Sequence, residues 1–114
     1  MAKGLNFRNF AQPVLPLNMN DAEETLIRVT APTVELTERL EANLDAIVAT
    51  FAKGDRTSLD EVWQLAADLI SCNRDRIKVT VVELKGKYGV SYEMLMAFYA
   101  AYSEFIDEIE NEKN

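Results

Sequence analysis

The sequence predicts an α-rich α+β fold: an N-terminal β-hairpin followed by about four helices, the last one long. Three observations predict it. Two strand-like segments, Val14-Leu15-Pro16-Leu17 and Thr25-Leu26-Ile27-Arg28-Val29, are separated by the polar run from Asn18 to Glu24. From Ala31 onward the apolar residues recur every three or four positions, the period of a helix buried on one face. The closing stretch, Tyr92 to Glu112, carries Leu95, Phe98, Tyr99, Tyr102, Phe105, Ile106 and Ile109 on one stripe. A chain of 114 residues fits one domain, with an arm and hairpin over 1–30 and a helical part over 31–114. Its 48% apolar and 27% charged residues are those of an ordinary globular protein.

The elements follow in order. Residues 1–11 hold Phe7 and Phe10 without a period, and read as a loose arm or a further short strand. Pro16 has no N–H to give a ladder, so the first strand belongs at an edge. Ala31-Pro32-Thr33 switches the period, with the proline suited to a first helical turn. Leu36, Leu40, Leu44, Ile47, Val48 and Phe51 then form one stripe, and Gly54 stops this first helix. Glu35, Glu38, Glu41 and Asp45 fall on its opposite, solvated face.

Ser58-Leu59-Asp60-Glu61 reads as a capping box, in which the serine oxygen accepts the amide three residues on while the glutamate reaches back. Leu59, Val62, Trp63, Ala66, Leu69 and Ile70 are the apolar face of the second helix. Cys72-Asn73 ends it, with Asn73 expected as a left-handed cap. After an extended Ile77-Lys78-Val79, Thr80-Val81-Val82-Glu83 is a second capping box. It opens a short helix with Leu84 and Tyr88 that Gly89 ends. Ser91 caps the long last helix and Glu93 sits in its positive first turn.

Little in this inventory is chemistry. The chain has no histidine, which removes the usual triads, imidazole acid–base catalysis and histidine-ligated zinc. The single Cys72 has no second thiol or imidazole to activate it and reads as a half-buried helix-end residue. One cysteine also fits a reducing compartment. Lys85-Gly86-Lys87-Tyr88-Gly89 lacks the preceding strand and the Ser or Thr of a phosphate-binding loop. Asp21, Glu23 and Glu24 lack calcium-loop spacing. The expectation is no enzyme, no cofactor and no metal site.

Acids outnumber bases nineteen to twelve, a formal charge of −7, which argues against a partner made of phosphates. Arg74, Arg76, Lys78, Lys85 and Lys87 read as a solvated surface and not as a nucleic-acid patch. No apolar run reaches the ~20 residues that span a bilayer, and Met1-Ala2-Lys3-Gly4 does not open a signal peptide. A cytoplasmic protein is expected.

Function therefore rests in what the helices bind. Trp63 has two readings, an interface anchor or a core residue on the face of Leu59, Ala66 and Ile70, and the second is the more ordinary. A helix of 20 residues is ~30 Å long and is expected to overhang shorter neighbours. An apolar patch is then expected around Tyr102, Phe105, Ile106 and Ile109, wanting a partner or a second copy. Leu95, Phe98, Tyr102, Phe105 and Ile109 are the contact candidates.

Some of these runs also carry a resemblance. Trp63-Gln64-Leu65-Ala66-Ala67-Asp68-Leu69-Ile70-Ser71-Cys72-Asn73-Arg74 and Val79-Thr80-Val81-Val82-Glu83-Leu84 are two such runs. A third, the nearest in likeness, is Met96-Ala97-Phe98-Tyr99-Ala100-Ala101-Tyr102-Ser103-Glu104-Phe105-Ile106-Asp107-Glu108-Ile109, running into Lys113-Asn114. They resemble stretches of the tail assembly chaperones of long-tailed bacteriophages, mainly those of Gram-positive hosts. The likeness covers roughly residues 24 to 114, and the N-terminal arm departs most.

The resemblance implies a non-catalytic, mostly helical, self-associating protein with a small N-terminal sheet element. Such a protein binds the tape measure protein, keeps its apolar helices soluble and helps tail tube protein polymerise around it. It works in the host cytoplasm and is absent from the mature virion. The family is often made in two lengths by a ribosomal frameshift, and Glu112-Lys113-Asn114 can be encoded GAA-AAA-AAC, which contains the slippery run A-AAA-AAC. The alternative is a generic bacterial helical adaptor or regulatory protein-binding domain. A small-molecule or metal enzyme and a nucleic-acid-binding domain stand behind it.

Overall fold

Alternation in the two strand-like segments produces an antiparallel hairpin in the computed structural model, which describes residues 13–112. The arm with Phe7 and Phe10 and the terminal Lys113-Asn114 pair lie outside the described residues. β1 (Val14–Asn18) pairs with β2 (Leu26–Thr30), with Leu15 opposite Val29 and Leu17 opposite Ile27. Ile27 and Val29 are completely buried, and Leu15 and Leu17 pack against the same core, as a strand period of two demands. The Met19 amide donates to the Thr25 carbonyl, so the odd-numbered residues of β1 turn their amides toward β2. Pro16 then faces its missing amide to the outer edge, where no described strand pairs.

The turn is held by Asp21, whose carboxylate accepts from the Thr25 amide at 2.8 Å and the Thr25 hydroxyl at 2.5 Å. The other edge of β2 is covered by the chain after the third helix. Thr30 donates to the Cys72 carbonyl, Arg74 to the Arg28 carbonyl, and Asp75 takes both the Arg28 amide and its guanidinium.

The first predicted helix is two. α1 (Val34–Ala42) is capped by Thr33, whose hydroxyl accepts from the Leu36 amide, so Pro32 stands just before the cap and not in the first turn. The break is at Asn43, whose side-chain amide returns to the Arg39 carbonyl at 2.8 Å. A short polar side chain that bonds its own backbone competes with the helical ladder. α2 (Leu44–Lys53) follows and ends at Gly54 in the left-handed region, φ 70°.

α3 (Leu59–Ile70) is the hub, with seven of its twelve residues buried. Its predicted capping box does not form. Ser58 has ψ 15°, against ψ 162° at Thr80, where the box does form with Glu83 ahead of α4 (Val81–Lys85). Only the extended value aims the hydroxyl at the third amide of the helix.

Asn73 is not a left-handed cap. Its side chain donates to the Ile70 and Ile77 carbonyls and accepts from the Ile77 amide, closing the loop as a clip. The left-handed residue there is Arg76, φ 58°. Cys72 is half-buried at the helix end, as expected, with its thiol against the Thr30 hydroxyl and the Ala31 carbonyl. Ser71 ties the segment after the loop in place, its hydroxyl accepting from the Val79 amide and donating to the Val79 carbonyl.

α5 (Tyr92–Glu112) closes the fold, and the Ser91 hydroxyl caps it through the Met94 amide. Trp63 lies in the core, 6% exposed, with Lys85 over its ring. No described helix is long and apolar enough to cross a membrane.

Candidate partner-binding grooves

One face of α5 is a ladder of rings. Phe98 contacts both Tyr99 and Tyr102, and Tyr102 contacts Phe105, with centroids 5.4–6.0 Å apart. Phe51 of α2 extends the ladder to Tyr92 and Tyr99. The Tyr92 hydroxyl donates to the Thr50 carbonyl and that of Tyr99 to the Val62 carbonyl. Burial pushes the phenols of Tyr99 and Tyr102 well up, so both stay neutral.

Four of the five predicted contact residues are in this core. Leu95, Phe98, Tyr102 and Phe105 are each less than 9% exposed, and only Ile109 is half-buried. The expected exposed patch at Tyr102 and Phe105 is therefore corrected, and the reason is geometric. Thr50 and Phe51 meet Tyr92, Leu44 lines the same hollow as Ser103 and Ile106, and Leu40 lines another with Ile106 and Ile109. Thus α1 and α2 together run antiparallel along α5. Twenty residues, Val34 to Lys53, match the ~30 Å of α5 in length.

What remains open is the seam. Two shallow hollows of about 210 and 190 Å3 follow each other between α1 and the last turns of α5. Thr37, Leu40, Ile106 and Glu110 line both. Pro32 and Ile109 close one, and Leu44 and Ser103 the other. Among the described residues their charged lining is Glu41, Asp107 and Glu110, with no lysine or arginine. Arg39, the basic residue in the last turn of α1, is engaged elsewhere by Asp68 at 2.7 Å.

A second groove of about 280 Å3 lies between the hairpin and the start of α5. Leu17, Met19, Val90, Met94 and Phe98 are among its lining residues, none of which is charged. A third, polar cleft of about 570 Å3 lies beside the Arg39–Asp68 pair, between α1, α3 and the Lys78–Val81 segment.

Two surface features were not read from the sequence. Leu44 and Val48, assigned to the buried stripe of the first helix, are 48% and 55% exposed. The signal was present, since a stripe holding both Ile47 and Val48 is wider than one buried face needs. Met94 and Met96 are also exposed. Arg74, Arg76, Lys78, Lys85 and Lys87 are all on the surface.

The perturbed acids lie outside the seam. The Thr25 hydroxyl and amide lower Asp21, the Thr57 hydroxyl and amide lower Asp55, and the Arg28 guanidinium and amide lower Asp75. Each is explained by a local turn or ion pair. Among the described residues no cluster of three or more cysteine, aspartate or glutamate side chains could hold a metal ion. No protein-family model, curated protein or solved structure gives a significant match to the chain.

Proposed function

We propose that this chain is a non-catalytic tail assembly chaperone of a long-tailed bacteriophage. It binds tape measure protein, keeps that protein soluble in the host cytoplasm and promotes assembly of tail tube protein around it. The observation that carries this reading is the seam between α1 and α5. Apolar side chains and carboxylates line it together, on the helix whose sequence bears the nearest likeness to that family.

The chemistry suits the task. An apolar strip on a helix is covered by another apolar strip, while a net charge of −7 keeps a loaded complex dispersed. Ile109, half-buried at the seam, is the predicted contact residue best placed to meet a partner. Leu95, Phe98, Tyr102 and Phe105 belong to the buried core against which Ile109 packs.

The test is size-exclusion chromatography with light scattering on this chain co-expressed with the tape measure protein encoded beside it. A stoichiometric complex supports the chaperone reading. Separate elution, with this chain folded, overturns it and favours a helical adaptor with another partner.

A further inference from the structure

We infer that the α1–α5 seam selects a basic amphipathic helix, one that seats two apolar side chains about a turn apart and flanks them with lysine or arginine. This rests on the protein-binding reading above and adds the chemistry of the partner segment.

Spacing gives the apolar part. The two hollows share Leu40 and Ile106, and the residues they do not share step along the seam: Leu44 and Ser103 at one, Pro32 and Ile109 at the other. Leu40 to Leu44 and Ile106 to Ile109 are each about one turn, ~5 Å. A helix laid along the seam meets both hollows with side chains at i and i+3 or i+4, the positions that share a face.

Charge gives the rest. Glu41 and Asp107 line one hollow, and among the described residues no lysine or arginine lines either. Arg39 is occupied by Asp68. The last turn of α5 holds no basic residue, so the negative end of its helix dipole adds to the rim. A cationic flank is attracted by Glu41 on α1 and Asp107 on α5, and an acidic one is repelled. The acidic repulsion also excludes a second α5 as occupant, because it would bring its own Glu104, Asp107 and Glu108 to the same place.

The experiment is fluorescence anisotropy of labelled peptides against the full chain. Each peptide has about 18 residues, long enough at ~1.5 Å per residue to follow the seam. One has leucines at i and i+4 with lysine flanks. A second has the same composition with the leucines scattered around the helix. A third replaces lysine by glutamate.

The first should bind at least about tenfold tighter than the second, a difference of ~1.4 kcal/mol, and the third should not bind. The doubly substituted chain Glu41→Lys, Asp107→Lys alters exposed positions only. It should lose about tenfold or more for the lysine peptide. Equal binding of patterned and scattered peptides, no binding of either, or indifference to the rim substitutions would overturn the inference.

The same variant, co-expressed with tape measure protein, separates the two proposals. If it solubilises that protein as well as the unsubstituted chain does, the seam inference falls and the chaperone reading stands. If neither chain solubilises it while the peptide pattern holds, the reverse follows.

Discussion

Tyr99 and Tyr102 stand one turn apart on α5, both buried, and removing their hydroxyls should move stability in opposite directions. The Tyr99 hydroxyl donates to the Val62 carbonyl at 2.6 Å, so Tyr99→Phe deletes a hydrogen bond worth ~0.5–1.5 kcal/mol net. The Tyr102 hydroxyl is buried, on a residue 1% exposed, and has no hydrogen-bond partner among the described residues. Burying such a group costs ~1–3 kcal/mol, and Tyr102→Phe removes it while keeping the ring contacts to Phe98 and Phe105. A small loss of packing around the missing oxygen offsets part of the gain.

The expected result is Tyr99→Phe less stable by about 1 kcal/mol and Tyr102→Phe unchanged or more stable by about 1 kcal/mol. At roughly 4 °C per kcal/mol for a domain of this size, the two variants should melt about 4–8 °C apart. Urea and thermal unfolding followed by circular dichroism near neutral pH would read both, with neither phenol ionised. Tyr102→Phe destabilised by about 1 kcal/mol or more would refute the reasoning, because the hydroxyl would then have to be bonded.

Other substitutions separate core from seam. Phe105→Glu should unfold the chain, since losing a buried phenylalanine alone costs ~3–5 kcal/mol, whereas Ile109→Glu should keep the helical circular dichroism and lose partner binding. Thr80→Ala should lower stability by about 1 kcal/mol through loss of a formed cap, and Ser58→Ala, at a helix start with no side-chain cap bond, should leave the unfolding midpoint where it is. Asp21, Asp55 and Asp75 have lowered folded values. Their contribution is complete above the unfolded carboxyl value of ~3.9 and is lost as pH falls through the lower folded ones. Urea midpoints should therefore drop in acid, and Asp75→Asn should lower the neutral midpoint and flatten that drop.

Where the sequence spoke through periodicity, it spoke clearly. The hairpin, the stop at Gly54, the cap at Thr80 and the extent of α5 all follow from local residues. The break at Asn43 is hidden because Leu40, Leu44 and Ile47 keep the helical spacing across it, while the Asn43 amide is shared between the Arg39 and Leu40 carbonyls and its side chain also returns to Arg39. Ser58 and Thr80 carry the same capping pattern and differ in ψ by almost 150°. A preceding turn at Asp55, which accepts the Thr57 amide and hydroxyl, leads into Ser58.

The seam was half legible. Ile106 and Ile109 were read as surface-seeking, but their neighbours Tyr102 and Phe105 were misplaced outside the core, since nothing local in α5 reveals that α1 and α2 together match its length. The acidic rim needed the fold as well. Glu41 and Asp107 are far apart in sequence and meet only across the seam.

The soluble fraction of tape measure protein, with and without this chain co-expressed, tests the central claim most directly. A tape measure protein that precipitates alone should become soluble with the unsubstituted chain and precipitate again with Ile109→Glu. A tape measure protein that stays insoluble beside a folded, well-expressed chain would contradict it.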